Sequence, residues 1–183
     1  MRGHIHKRQW KGRGGKQQTL WYAVVDVGQG EDGKRKQKWH GGFKTRRDAE
    51  SALAELVQSL ETQTYITPQR LTLAAFVRTE WLPTMQTQVK VSTWDSYRRN
   101  LENHVLPELG GAPLQQLTAG HLNGLYRSLT GHGRRNGTGG GLSAKTIRNI
   151  HGTVSKVLAD AADRDIVNRN IAMSARPPKP RKT

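Results

Sequence analysis

The sequence predicts an α+β chain: a small three-stranded antiparallel sheet with one packed helix, followed by an all-α, four-helix unit. Three observations predict it. Strand-like segments rich in β-branched and aromatic residues fall in the first 40 residues, with LWYAVVDVG the strongest. From Thr45 onward apolar residues recur at helical spacing. A stretch without lysine or arginine, 48–64, divides the chain into two strongly basic parts.

Residues 4–10 read as a strand, and KGRGGKQQ, 11–18, as a glycine-rich basic turn. Residues 20–28 form the second strand. Gly30 to Gly33, with Glu31 and Asp32 between, supply a hairpin turn, and KRKQKWH, 34–40, returns as the third strand. Period-two alternation puts Trp21, Ala23, Val25 and Val27 on one face and Leu20, Tyr22, Val24 and Asp26 on the other. If Trp39 shares the Trp21 side, then Lys36, Lys38 and His40 join Tyr22 and Val24 on an open basic face. Thr45 is a good N-cap, and Ala49, Ala52, Leu53, Leu56 and Leu60 then predict a covering helix through residue 62, with Phe43 plugging the sheet edge.

TQTYITPQR, 62–70, reads as a connector between a sheet unit, 1–64, and a helical unit, 65–174. A helix over 71–82, with Leu73, Phe76, Val77 and Trp81 on one face, is expected to stop at Pro83. Ser92 or Thr93 is expected to cap the next helix, whose stripe is Trp94, Tyr97, Leu101 and Val105. Pro107, Gly110, Gly111 and Pro113 then break the chain. A further helix runs from about 118 to 130, with Leu122, Leu125, Tyr126 and Leu129 inward. GHGRRNGTGGG, 131–141, reads as a flexible basic loop. Ser143 caps the last long helix, with Ile147, Ile150, Val154, Val157, Leu158 and Ala161 as its core stripe. The tail ARPPKPRKT, 175–183, suits an extended linker to something further.

Composition narrows the partners. The 183-residue chain has a formal net charge of +16, a pI near 10.8 and 34% hydrophobic residues, which suits small units with a polyanionic partner. Residues 1–47 carry 13 Lys/Arg against 3 acids, residues 48–64 none against 4, and residues 65–183 carry 17 against 7. The basic charge thus falls on two surfaces with an acidic helix between them. No apolar run approaches the ~20 residues that a membrane span needs, and no secretory signal follows the basic N-terminus. The absence of cysteine rules out disulfides and thiolate metal sites. His4 and His6 lack further metal ligands nearby, and GRGGK lacks the phosphate-loop spacing, so no metal or cofactor is expected.

STWDSYRRNLENHVLPELGGAPLQQLTAGHLNGLYRSL and LSAKTIRNIHGTVSKVLADAADRDIVNRN together resemble the four-helix, SAM-like core-binding domain of phage-type tyrosine recombinases, the integrases. LWYAVVDVG, GKRKQKW and GGFKTRRDAESALAEL are similar to the arm-type DNA-binding domain that precedes it in many phage and actinobacterial integrases. The resemblance implies double-stranded attachment-site DNA and further integrase protomers as partners, in the cytoplasm of a bacterial host at its nucleoid. It also implies a tyrosine nucleophile with two arginines, a lysine and histidines in a catalytic domain expected beyond the ARPPKPRKT linker. None of Tyr22, Tyr65, Tyr97 and Tyr126 stands in that catalytic context, so no catalytic residue is expected in this chain. One departure is Ile171 after Asn170, where the family commonly has proline.

The candidate DNA contacts of the sheet unit are Arg8, Lys11, Arg13, Lys16, Tyr22, Lys36 and Lys38. In the helical unit they are Ser92, Thr93, Arg98 and Arg99 on one helix, Arg134 and Arg135 in the glycine-rich loop, and Ser143, Lys145, Thr146, Arg148 and Asn149 on the last helix. Lysine meets phosphate as a point charge, an arginine fork can pair with guanine, and helix N-termini offer N–H groups to phosphate. The bland readings compete: lysines protect a sheet edge, and Ser92 and Ser143 merely cap helices. No regular pattern of acids on their own helices balances Arg98, Lys145 and Arg148. Trp21, Trp39, Trp94 and Tyr97 are expected in cores rather than as stacking platforms. An RNA-binding or ribosome-associated protein, or a dimeric helix-turn-helix regulator of a palindromic site, is the alternative function.

Overall fold

The computed structural model describes residues 3–11, 17–29, 33–62, 65–134 and 139–179. The chain divides into two compact units, Met1–Tyr65 and Ile66–Thr183. Among the described residues no helix is long and apolar enough to cross a membrane.

In the first unit β1 (Gly3–Lys11), β2 (Gln17–Gln29) and β3 (Arg35–Phe43) form an antiparallel meander in the order β1-β2-β3. The β2–β3 register slips twice. Between Asp26 and Gln29 the extra residue lies on β2, where Gly28 takes φ 98°; between Trp21 and Tyr22 it lies on β3, where Gly42 takes φ 97°. Each slip of one residue turns the following side chains to the opposite face, and the second cancels the first. Residues 37–41 between the two slips are therefore the ones turned over.

Direct cross-strand partners share a face. Trp39 opposes Val24, while Lys38 opposes Val25 and His40 opposes Ala23. The expectation that Trp39 lies on the Trp21 side is thus incorrect. The β2 bulge puts Trp39 beside Tyr22, and alternation puts Lys36, Lys38 and His40 on the opposite side. Trp39 is also not a core residue, being 53% exposed.

α1 (Arg46–Glu61) covers the face of Ala23 and Val25. Thr45 caps it as expected, its Oγ1 accepting the Asp48 N–H at 3.1 Å. Leu53 reaches so close to β1 that a Cβ on Gly3 would meet its Cδ1 at 2.6 Å, and Ala49 is fully buried. Tyr65 closes the unit, with its hydroxyl 3.1 Å from His40 Nε2.

The second unit is helical around one core cluster that includes Phe76, Trp81, Leu101, Leu122, Ile147 and Leu158. α2 (Leu73–Phe76), a wide turn at Val77–Trp81 and α3 (Leu82–Gln88) form one continuous helical run. Pro83 does not end it, contrary to expectation. A proline lacks an N–H and crowds the carbonyl four residues back. Here the preceding turn widens, so that the Leu82 N–H reaches the Val77 carbonyl five residues away, and the proline is absorbed just after that turn. The device recurs: α4 (Val91–Asn100) passes through a wide turn at Leu101–Val105, closed by Leu106 N–H on the Leu101 carbonyl, into α5 (Leu106–Leu109) across Pro107.

α6 (Ala119–His132) and α7 (Ala144–Asp163) complete the unit. α6 begins at Thr118 in a reciprocal cap with His121 and extends into the expected loop as far as His132. Ser143 caps α7 as expected, accepting the Thr146 N–H at 3.1 Å. Past α7, Asn170 caps a short turn at Ile171–Ser174, and its amide donates to the Ser155 carbonyl at 2.9 Å. The chain thus stays packed beyond Ile171.

Candidate nucleic-acid interface

The open face of the sheet is built by strand alternation. His4, His6, Arg8 and Trp10 oppose Val24, Tyr22, Leu20 and Gln18 and so share the side of Tyr22 and Trp39. Trp39 is the hub of a ring cluster: its centroid lies 4.8 Å from that of His6 and 6.0 Å from that of Tyr22, both edge-on. Beneath the cluster Val24 is fully buried. Arg35 shares this side and is paired with Asp26. This face offers an exposed aromatic ridge flanked by the exposed Arg8.

Of the predicted sheet contacts among the described residues, only Arg8 and Tyr22 fall on this face. Lys11 and Lys38 lie on the helix side by their pairing with Gln17 and Val25, and Lys36 follows by alternation. Arg13 and Lys16 lie outside the described residues, as do Glu31 and Asp32 of the hairpin turn. Residue type missed Trp39, Trp10, His4 and His6. For Trp39 the signal was Asp26-Val27-Gly28, where an aspartate accepts from the glycine N–H two residues on (3.2 Å) and the glycine takes positive φ at the bulge; for His4, His6 and Trp10 it was the plain alternation of β1 opposite Tyr22.

In the helical unit, α4 and α7 run antiparallel. Trp81 sits against Tyr97 of α4 (centroids 5.5 Å apart) and donates its indole N–H to Asp160 of α7 at 2.7 Å, while Asn100 of α4 donates to Thr153 of α7 at 2.9 Å. Ser92 and Thr93 therefore lie toward the C-terminal end of α7, whereas Ser143, Lys145, Thr146, Arg148 and Asn149 occupy the other end. The run from Asn149 to Asp160 alone is about 16 Å at ~1.5 Å per residue. These groups form two stations on the unit.

The first station departs from expectation in two ways. Neither Ser92 nor Thr93 caps α4: the cap is Lys90, without a side-chain bond, and its carbonyl accepts from Thr93 and Trp94. The helix starts early because Trp94 must sit in its first turn to donate its indole N–H to the Leu82 carbonyl at 2.9 Å. Arg98 and Arg99 are also not unbalanced. Asp95 takes both, at 2.7 and 3.0 Å, and the Arg98 and Arg99 guanidiniums hold its carboxyl below the ordinary range.

The second station is freer. Lys145, Arg148 and Asn149 are exposed on the outer face of α7, and among the described residues Lys145 and Arg148 have no ion-pair partner. Ser143 and Thr146 spend their hydroxyls on the cap and on each other, 2.9 Å apart. Arg134 donates to the Gly141 carbonyl at 3.1 Å, which fixes it just before α7; Arg135 lies outside the described residues. His151, one turn along, lies 2.8 Å from the Tyr126 hydroxyl, and burial together with the Arg148 charge pushes its pKa down. Among the described residues no group of three or more His, Asp or Glu could hold a metal ion.

Comparisons with known proteins follow the division into two units. Residues 8–60 match the arm DNA-binding domain, and residues 74–129 match the N-terminal SAM-like domain of phage integrases. An integrase of Streptomyces ambofaciens is 27% identical over 169 residues, 90% of this chain but 41% of the relative, so the chain spans about two fifths of its length. Among solved structures, an integrase-like domain from Bacillus cereus is 25% identical with a TM-score of 0.53, covering 64% of this chain and 92% of that one. A phage integrase SAM-like domain from Moorella thermoacetica is 28% identical with a TM-score of 0.49, covering 63% and 92%.

Proposed function

We propose that this chain, which joins an arm DNA-binding domain to a phage-integrase SAM-like domain, grips double-stranded DNA at two places to position a site-specific recombinase. The sheet unit engages an arm-type site through the face of Arg8, Tyr22 and Trp39, since a major groove admits a β-ribbon or sheet. The helical unit engages the core-type site through the outer face of α7, with further integrase protomers alongside. The observation that carries the reading is the occurrence of both modules in one chain of net charge +16, with Lys145 and Arg148 exposed and, among the described residues, without an ion-pair partner. Tethering two modest binders raises avidity by ~10²–10⁴ where geometry permits.

The chain positions DNA and does not cut it. Tyr97 and Tyr126 are committed to the core, Tyr65 to His40, and Tyr22 packs edge-on against Trp39. Strand cleavage belongs to the whole recombinase, of whose relative this chain spans 41%. A nicked attachment-site duplex should give no covalent adduct with it.

Selection of duplexes from a random pool by the intact chain tests the reading. Two unrelated sequence motifs should emerge, one for each unit. Recovery of a single motif, or displacement of all duplexes by structured RNA, would count against it.

A further inference from the structure

We propose that α6 and the segment after Ile171–Ser174 form an additional anion site, which takes a backbone phosphate of the bound duplex. The inference rests on the DNA-binding reading above and extends the footprint of the helical unit beyond α7. The site is a concavity of about 560 Å³ lined by Asn123, Tyr126, Arg127 and Thr130 of α6 and by Arg176 of the tail. Among the described residues no carboxylate lines it. Arg127 and Arg176 are both exposed, and among the described residues neither guanidinium has an ion-pair partner.

Two features mark the concavity as built. Arg176 is held in place by its backbone, whose N–H donates to Asn123 Oδ1 at 2.8 Å, so a basic segment that would otherwise be free lies along α6. The floor is continuous with the α7 face as well. Tyr126 is hydrogen-bonded to His151 of α7, and His151 feels the charge of Arg148. Tyr126 thus ties the concavity, through His151, to the helix that carries Arg148. A planar guanidinium fork matches the two free oxygens of a phosphodiester.

The test is the salt dependence of duplex binding by the intact chain, compared with R127Q/R176Q, N123A and the control R169Q, which removes a cation outside the concavity. Each phosphate contact contributes about 0.9 to the slope of log K against log salt. The double variant should be shallower by about 1, the contribution of one phosphate, and weaker for every sequence alike. N123A, with its charge unchanged, should be shallower by about 1 because Arg176 is no longer held. R169Q should track the parent, and all variants should melt with it by circular dichroism. A double variant with the parent's slope, or a control that falls equally, overturns the site while leaving the DNA reading intact. A parent chain whose duplex affinity ignores salt overturns both.

Discussion

Replacing Trp39 by alanine should weaken duplex binding far more than replacing Lys38, its neighbour in sequence, although charge alone ranks them the other way. Trp39 stands on the open face, 53% exposed, whereas Lys38 pairs with Val25 on the side that α1 covers. A tryptophan side chain buries ~150–250 Å² when fully enclosed. Roughly half of that, on the order of 100 Å², remains for DNA to cover. At ~25 cal/mol per Å² this sets a ceiling of about 2.5 kcal/mol, close to a 70-fold loss of affinity. Desolvation of polar groups and ordering at the interface reduce the observed figure, so a loss of tenfold or more is expected. Lys38→Ala should cost less than about threefold, with a salt slope shallower by no more than that of one distant charge. Fluorescence anisotropy with a duplex recovered by selection gives both numbers. Equal losses, or a larger loss for Lys38→Ala, would refute the placement of the two bulges or the use of this face.

Four further expectations concern the helical unit, and one of them draws on the sheet unit as well. Asp95→Asn removes the carboxylate that occupies Arg98 and Arg99, so duplex affinity should rise and the salt slope steepen by up to about 0.9 for each guanidinium that reaches phosphate; unchanged or weaker binding in a titration would show that this station does not meet DNA. His151 and His40 both have folded-state pKa values pushed below the ordinary 6.5, by burial first and then by Arg148 and Lys38 respectively. The unfolded chain therefore binds more protons below about pH 6.5, and the thermal midpoint should fall as pH drops from 7 toward 5, before the depressed carboxyls of Asp95 and Glu102 begin to titrate; H151Q should lose part of this slope, and a midpoint that rises in acid would contradict the assignment. Gly152 lies mid-helix on the exposed face of α7 with open space where a Cβ would sit, so Gly152→Ala should stabilise the unit by about 0.5–1 kcal/mol. Gly141→Ala, whose Cβ would fall on the Thr130 carbonyl oxygen, should destabilise by about 1–3 kcal/mol in urea unfolding.

Periodicity made the core legible, because burial follows it directly. Leu122, Leu125, Tyr126 and Leu129 on α6, and Ile147, Ile150, Val154, Val157, Leu158 and Ala161 on α7, are all buried where the spacing places them. The caps at Thr45 and Ser143 were legible for a similar reason, since a hydroxyl before an apolar repeat satisfies N–H groups that have no other partner. The faces of β3 were not. They depend on whether one extra residue is inserted at Gly28, and alternation carries no memory of such a step. Pairing of charges was hidden too: Asp95 is one acid among many in the sequence, and only the helix brings it under Arg98 and Arg99. Arg127 and Arg176 were invisible as a pair because they are far apart in the chain and meet only when Asn123 holds the tail.

The two wide turns before Pro83 and Pro107 alter how the helices keep time. Each inserts a residue's worth of phase, about 100° of rotation at ~3.6 residues per turn, between the halves of a helix that otherwise looks continuous. The buried positions record it: Val77 is followed by Trp81 and Leu82, and Leu101 by Val105 and Leu106. Deleting one residue from Val77–Trp81 would tighten this turn to ordinary helical pitch with Leu82 and Met85 close to their present phase, and would bring the Pro83 ring against the carbonyl four residues back. The prolines hold the phase in place, since an ordinary turn cannot be restored while the ring occupies the position of the missing N–H.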